Sequence, residues 1–248
     1  MARNVLILGS APDALRCQSW DLAPFDEIVA VNNAWRVRAD WTVCIHPDDF
    51  PEDRRPVAGP GQRCVGSDLY VPAHAPYGGV VYGGGTMAFS ASYWVLDALR
   101  PQLIAYLGCD MVYPPQGRTH FYGTGTADPL RDDPTLQSIE AKATRLQALA
   151  ARQGCALVNL SGGSSRLPFP RSTLAQVAQG AIAPLPFDGD RVDAIRAQEE
   201  ALGMDVPSGR YWEAARRLDP GALSEIDDRW LALAAIPEPA AIRTRQRL

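Results

Sequence analysis

Short apolar runs alternate with helical stretches through the first two thirds of the chain, and few folds accept that order of elements. The predicted strands cover Val5–Gly9, Glu27–Val31, Trp41–Ile45, Val65–Val71, Val80–Tyr82, Leu103–Leu107 and Ala156–Leu160. The predicted helices cover Gly83–Leu99 and Pro134–Gln153, and shorter helical pieces are predicted at Tyr211–Leu218 and Leu223–Ala235. Strands separated by helices are typical of a doubly wound, mostly parallel sheet. We therefore predict an α/β protein with a Rossmann-like domain over residues 1–170 and a mainly helical C-terminal appendage over residues 171–248.

Composition narrows the range of partners. The 248 residues include 46% hydrophobic side chains and carry a formal net charge of −4, so no overall basic field favours nucleic acid or an anionic membrane. No apolar run approaches the roughly 18 residues of a membrane span, and no charged-then-apolar leader precedes the first strand. Five scattered cysteines without a Cys-x-x-Cys pair indicate reduced thiols. We expect a soluble, cytoplasmic protein that binds neither nucleic acid nor a membrane.

The chain contains one lysine, Lys142, and no Gly-x-x-x-x-Gly-Lys-Ser/Thr segment. A phosphate-gripping lysine of the P-loop kind is therefore missing. Any phosphate must be held by backbone N–H groups, helix N-termini, arginines or hydroxyls.

Polar side chains that could take part in binding or catalysis follow the predicted strand Leu103–Leu107. They are Asp110, Tyr113, His120 and Tyr122. Ligands of open α/β sheets bind outside the carboxyl ends of the strands. A histidine with an ordinary pKa near 6.5 can act there as acid, base or phosphate donor, although an isolated histidine is more often structural.

Other predicted strands end in residues that suit a ligand site. Asn32 and Asn33 could read a nucleobase or ribose, or they could simply form a turn. Asp48 and Asp49 could hold a divalent cation or could be solvated. Three glycines precede Thr86 at a predicted helix start, which is costly unless the backbone bends sharply or contacts a ligand.

The chain resembles a superfamily that groups bacterial sialyltransferases, motility-associated flagellin glycosyltransferases and archaeal hydroxymethylpterin diphosphokinase-like proteins. The resemblance covers roughly residues 3–165 and is carried, in order, by Gly9–Leu15, Asn32, Asp48, Gly84–Met87, and Gly108–Tyr113 with His120–Gly123. It implies a Rossmann-like domain that binds a nucleotide along the C-terminal edge of the sheet. The implied nucleotide-binding residues are Gly9, Ser10, Pro12, Asn32, Asp48, Gly84, Gly85 and Thr86.

Two positions depart from the sialyltransferase pattern. The sialyltransferase base lies four residues beyond the position matched by His120, where this chain has Thr124. The phosphate-binding tyrosine is displaced by one place, to Tyr113. The pattern is nearer to the flagellin-type and pterin-kinase-like branch.

Three functions are compatible with these residues. The first is a glycosyltransferase that uses a nucleotide-sugar, with CMP-sugars among the candidates. In this reaction His120 would deprotonate an acceptor hydroxyl, and Asp110 would orient His120 or the sugar. Tyr113 or Tyr122 would hold the leaving phosphate. The second is a diphosphokinase that needs ATP and Mg²⁺, with Asp48, Asp49 and Asp110 as candidate ligands and a pterin-like alcohol as acceptor. The third is a non-catalytic nucleotide-binding protein.

The C-terminal appendage has too much apolar surface to remain exposed around short helices. Its larger side chains are Tyr211, Trp212, Leu218, Leu223, Ile226, Trp230, Leu231 and Leu233. Tryptophan and tyrosine are enriched in interface cores. We expect a homo-oligomer in which this appendage joins the subunit interface or overhangs the site, with a nucleotide and a small-molecule or glycan acceptor as partners.

Overall fold

The computed structural model describes residues 3–124, 133–180 and 182–233, and these residues surround one six-stranded sheet. The strands are β1 (Asn4–Leu8), β2 (Glu27–Val31), β3 (Val43–Ile45), β4 (Arg63–Val65), β5 (Leu103–Leu107) and β6 (Ala156–Asn159). Their order is β4-β3-β2-β1-β5-β6, and every pairing is parallel. The predicted Rossmann-like α/β architecture is confirmed.

Helices cover both faces of the sheet, which explains why the central strands are apolar on both sides. The α-helices are α1 (Ser67–Tyr70), α2 (Val80–Gly83), α3 (Met87–Ala98), α4 (Ile139–Arg152), α5 (Leu174–Gln179), α6 (Gly189–Leu202) and α7 (Pro220–Leu231). Short 3₁₀ segments lie at Pro12–Ser19, Asn32–Arg36, Glu52–Arg54, Pro72–Tyr77, Pro134–Leu136 and Tyr211–Arg217. Alternate residues of β1 belong to opposite core layers, because Val5 and Ile7 pack on one face while Leu6 and Leu8 pack on the other.

Two predicted strands are wrong. The strand predicted at Val65–Val71 ends at its first residue, and Ser67–Tyr70 forms α1 after Gly66. The strand predicted at Val80–Tyr82 is helical, because its three side chains pack into a separate apolar cluster with Met204 and Val206. A short apolar run has the same appearance in a buried helix and in a buried strand.

The two predicted helices before residue 170 are present with sharper limits. Helix α3 begins at Met87, and Thr86 is its N-cap. Helix α4 begins at Ile139, because the Ser138 hydroxyl accepts a hydrogen bond from the N–H of Ala141 at 3.1 Å. Pro134 opens a separate 3₁₀ turn just before it.

The C-terminal appendage packs on the same core as the sheet. Ile195 of α6 and Trp230 of α7 belong to the cluster that contains the β1 side chains Val5 and Ile7. The helix predicted at Leu223–Ala235 corresponds to α7, and residues 234 and 235 lie outside the described residues. No helix among residues 3–124, 133–180 and 182–233 has the length and apolar content to cross a membrane.

A buried ion pair fastens α6 to α4. The Arg145 guanidinium donates two hydrogen bonds to the Glu199 carboxylate, both at 2.8 Å, and both side chains are at most 1% exposed. Arg145 also donates to the Tyr93 hydroxyl at 2.7 Å, and the Trp230 indole N–H donates to Glu199 at 2.8 Å. One polar network therefore joins α3, α4, α6 and α7 inside the core.

Candidate functional site

A cleft of about 920 Å³ opens at the carboxyl ends of the strands. After β1 the chain adds β2, β3 and β4 on one side, and β5 and β6 lie on the other, so the winding direction changes between β1 and β5. Ligands of open α/β sheets bind at such a switch point. The loops after β1, β2, β3 and β5 line the cleft, together with the start of α3 and residues 208–213 of the C-terminal appendage.

Gly9 lets the loops after β1 and β5 approach each other at the switch point. Its N–H donates to the Leu107 carbonyl at 2.8 Å, and the Ala11 N–H donates to the Gly108 carbonyl at 2.9 Å. A Cβ at position 9 would lie 2.2 Å from the Gly108 oxygen and 2.7 Å from the Cys109 sulfur. The floor of the cleft therefore requires glycine here.

We expect Gly9→Ala to destabilise the protein by about 1–3 kcal/mol, because the two loops must separate to admit the methyl group. Urea unfolding measures this loss. Gly163→Ala is the matched control, because a Cβ there meets no atom within 4 Å. Equal unfolding midpoints for the two variants would show that the two loops accommodate a methyl group at position 9, and would contradict this prediction.

The start of α3 presents backbone donors to the cleft. Gly85, Thr86, Met87 and Ala88 line it, and the Thr86 side chain makes no capping hydrogen bond to its own helix. A helix N-terminus with uncapped N–H groups favours an anion. Gly84 does not line the cleft; its φ of 86° turns the chain into the helix.

The only lysine of the sequence is a structural residue. Lys142 lies 1% exposed under Gly84 and pairs with Asp227 at 2.8 Å. It is not among the residues that line the cleft. A phosphate in the cleft would therefore be held without lysine, in keeping with the missing P-loop segment.

Two neighbouring asparagines at the end of β2 line the cleft. Asn32 has a φ of 53°, in the left-handed region that asparagine tolerates better than most residues. The side-chain oxygens of Asn32 and Asn33 are buried without a hydrogen-bond partner. Buried polar atoms are usually hydrogen-bonded, and a bound ligand is one source of the missing partners.

His120 lies at the cleft among aromatic rings. Its ring stacks on Tyr122 with centroids 4.9 Å apart and lies 6.0 Å from the ring of Tyr113. The Thr119 hydroxyl is 2.8 Å from His120 Nδ1, so this contact engages one of the two ring nitrogens. Burial lowers the pKa of His120 below its ordinary value. The ring is therefore neutral at pH 7 and able to accept a proton.

Three predicted site residues lie outside the lining of the cleft. They are Pro12, Gly84 and Asp110, and Thr124, which replaces the sialyltransferase base, does not line it either. The Asp110 carboxylate is buried and accepts a hydrogen bond from the Asn159 side chain at 3.3 Å. Asp110 therefore supports the loop after β5 from below, while His120, Tyr113 and Tyr122 reach the cleft.

Two acidic residues line the cleft beyond β3. The Asp48 carboxylate accepts the Ser67 hydroxyl at 2.7 and 2.8 Å, and Asp49 is its neighbour. No group of three or more His, Cys, Asp or Glu side chains among the described residues could hold a metal ion. Mg²⁺ commonly uses one or two carboxylates together with substrate phosphates.

Several lining residues were not predicted from the sequence. They include Arg54, Ser67, Tyr70 and Met111. Met111 has a φ of 53°, and a non-glycine residue in this conformation often marks a functional loop. Of the large apolar side chains of the C-terminal appendage, Tyr211 and Trp212 line the cleft, whereas most of the others are buried in the core, among them Leu223, Ile226 and Trp230. The homo-oligomer stays a prediction.

Comparisons of the chain with models of known protein families, with curated proteins and with solved structures found no match.

Proposed function

We propose that the protein binds a nucleotide-sugar in this cleft and transfers the sugar to an acceptor hydroxyl. The observation that carries the proposal is the pair of buried, unpartnered oxygens on Asn32 and Asn33 at a cleft that also receives the N-terminus of α3. A nucleotide satisfies both requirements. Its phosphate suits the helix N-terminus, and the N–H and O–H donors of its base and ribose suit the amide oxygens.

The environment of His120 supports a transfer reaction in which this histidine acts as the base. When Nδ1 carries the ring proton, it donates a hydrogen bond to the Thr119 hydroxyl oxygen, and Nε2 holds the free electron pair. In the proposed step the acceptor oxygen bonds to the anomeric carbon and gives its proton to His120. The bond between that carbon and the phosphate oxygen breaks, and the phosphate keeps the electron pair. The N–H groups of α3 stabilise the charge on the departing phosphate.

Thermal unfolding in the presence of CMP, CDP, UDP, GDP, ADP and ATP tests the nucleotide site. A ligand at 100 times its Kd stabilises the folded state by about 2.7 kcal/mol, which is a readable shift. We expect at least one nucleotide to stabilise the protein. No stabilisation by any of the six at millimolar concentration would contradict the proposal.

Asn32→Gly is expected to weaken nucleotide binding about 5- to 150-fold. It removes the amide, whose hydrogen bond contributes about 1–3 kcal/mol. Glycine accepts the φ of 53° without strain, so the melting temperature of the free protein should change little. Titration calorimetry with the best nucleotide measures the effect. Unchanged affinity in this variant would exclude Asn32 from the nucleotide site.

The diphosphokinase alternative is favoured by one observation, the presence of Asp48 and Asp49 at the same cleft. Mg²⁺ would then be held by these carboxylates together with the phosphates of ATP, and it would neutralise their charge. Stabilisation by ATP only when Mg²⁺ is added would favour this reaction. Stabilisation by CMP or CDP without metal would favour the glycosyltransferase. Binding without turnover of any nucleotide-sugar or ATP would favour a non-catalytic role.

A further inference from the structure

Residues 208–213 of the C-terminal appendage lie across the start of α3. At one end Gly209 packs against Val71, since a Cβ on Gly209 would lie 2.7 Å from a Val71 methyl group. Further along, a Cβ on Gly85 would lie 2.2 Å from the Tyr211 hydroxyl. These residues therefore cover the place where the proposed function puts the phosphate.

Hydrogen bonds fix Tyr211 in this position. Its hydroxyl donates to the Asp133 carboxylate at 2.6 Å, and the Thr135 hydroxyl donates to the same carboxylate at 2.7 Å. The Thr135 oxygen in turn accepts the N–H of Gly85 at 3.0 Å. One carboxylate thus connects the C-terminal appendage to the loop that begins α3.

Trp212, the next residue, exposes its indole ring at the cleft. It lines the cleft, yet it is 63% exposed, while Trp230 of α7 is fully buried. Tyr211 touches Trp212 nearly edge-on, with centroids 5.5 Å apart and an angle of 74° between the rings. An exposed indole ring that lines a cleft offers a flat apolar face to a planar ligand.

We propose that Trp212 is the stacking platform for the nucleobase of the bound nucleotide. This inference rests on the proposed function, which places the phosphate at the start of α3. The base is joined to that phosphate through one ribose, so it lies within reach of the residue after Tyr211. Stacking on an aromatic ring holds a base by its flat face, and it leaves the edge of the base to hydrogen-bonding groups such as Asn32 and Asn33.

Calorimetric titration of three variants with two ligands tests this role. The variants are Trp212→Ala, Trp212→Phe and the control Leu231→Ala, which removes a 46% exposed side chain of α7 that is not among the lining residues. The ligands are the nucleoside monophosphate that stabilises the wild type most, among CMP, UMP, AMP and GMP, and ribose 5-phosphate, which lacks the base. We expect Trp212→Ala to weaken nucleotide binding about 5- to 150-fold and to leave ribose 5-phosphate binding unchanged. Trp212→Phe should retain most of the affinity, and Leu231→Ala all of it.

Each other outcome overturns the inference. Equal losses for the nucleotide and for ribose 5-phosphate would mean that Trp212 only shapes the cleft. Full nucleotide affinity in Trp212→Ala would remove Trp212 from the site but leave the proposed function standing, since the wild type binds. Failure of the wild type to bind any nucleotide would remove both. A smaller particle mass for Trp212→Ala by light scattering would place the ring in a subunit contact instead.

Discussion

Replacing His120 by alanine is expected to lower the turnover of the proposed transfer about 10²- to 10⁴-fold, the usual contribution of a positioned base. Nucleotide affinity should stay close to that of the wild type, because the base acts on the acceptor hydroxyl. Turnover measured at saturating nucleotide-sugar separates the two effects. Added imidazole should restore part of the activity, since the vacated space beside Tyr122 can admit the ring.

The pH dependence of turnover gives a second test of His120. A base works in its neutral form, so turnover should fall as the pH drops through the pKa of this ring. Burial lowers that pKa, so the fall should occur at a lower pH than for a histidine with the ordinary pKa. Full turnover in His120→Ala would remove His120 from the role of base. The same conclusion would follow if the variant lost both turnover and nucleotide binding and imidazole restored no activity.

Glu199→Ala is expected to destabilise the protein by about 3–5 kcal/mol, because it leaves the buried Arg145 guanidinium without its partner. The Arg196 side chain and the Trp230 indole N–H lose the same acceptor. Since α6 and α7 pack through this network, the C-terminal appendage should loosen first. Urea unfolding measures the loss, and limited proteolysis locates it.

Asp193→Ala is the matched control, because the Arg152–Asp193 pair joins the same two helices at the surface. A solvent-exposed pair contributes about 0–1 kcal/mol. Burial acts to raise the pKa of Glu199, but Arg145 and Arg196 outweigh it and hold that pKa below its ordinary value. The stabilisation is therefore present above the unfolded pKa and is lost as the pH falls through the folded pKa. Equal destabilisation by the two substitutions would contradict the buried network.

The central sheet could be predicted because its strands are buried on both faces. The runs Glu27–Val31 and Leu103–Leu107 lie within the sheet at the predicted residues. The run Val80–Tyr82 was assigned to the wrong element, because its helical form depends on packing against Met204 and Val206, more than a hundred residues away. Helix α6 was not predicted, because half of its residues are polar and it is fastened by the Arg145–Glu199 pair.

The candidate site could be predicted only in part, for a related reason. Residues that come soon after a strand, such as Ser10, Asn32 and Tyr113, could be placed at the cleft because parallel strands bring their carboxyl ends to one edge. The direction of a side chain is not determined by this rule, and Asp110 faces Asn159 below the cleft. The position of Tyr211 depends on a hydrogen bond to a residue 78 positions away, which no local pattern indicates.

A crystal structure with the nucleotide that gives the largest thermal stabilisation tests the nucleotide site most directly. We expect a phosphate group within hydrogen-bond distance of the backbone N–H groups of Thr86, Met87 or Ala88, with the ribose or base bonded to the Asn32 or Asn33 oxygen. Density for the nucleotide outside the cleft between β1 and β5, or inside it with the phosphate away from the start of α3, would contradict the account.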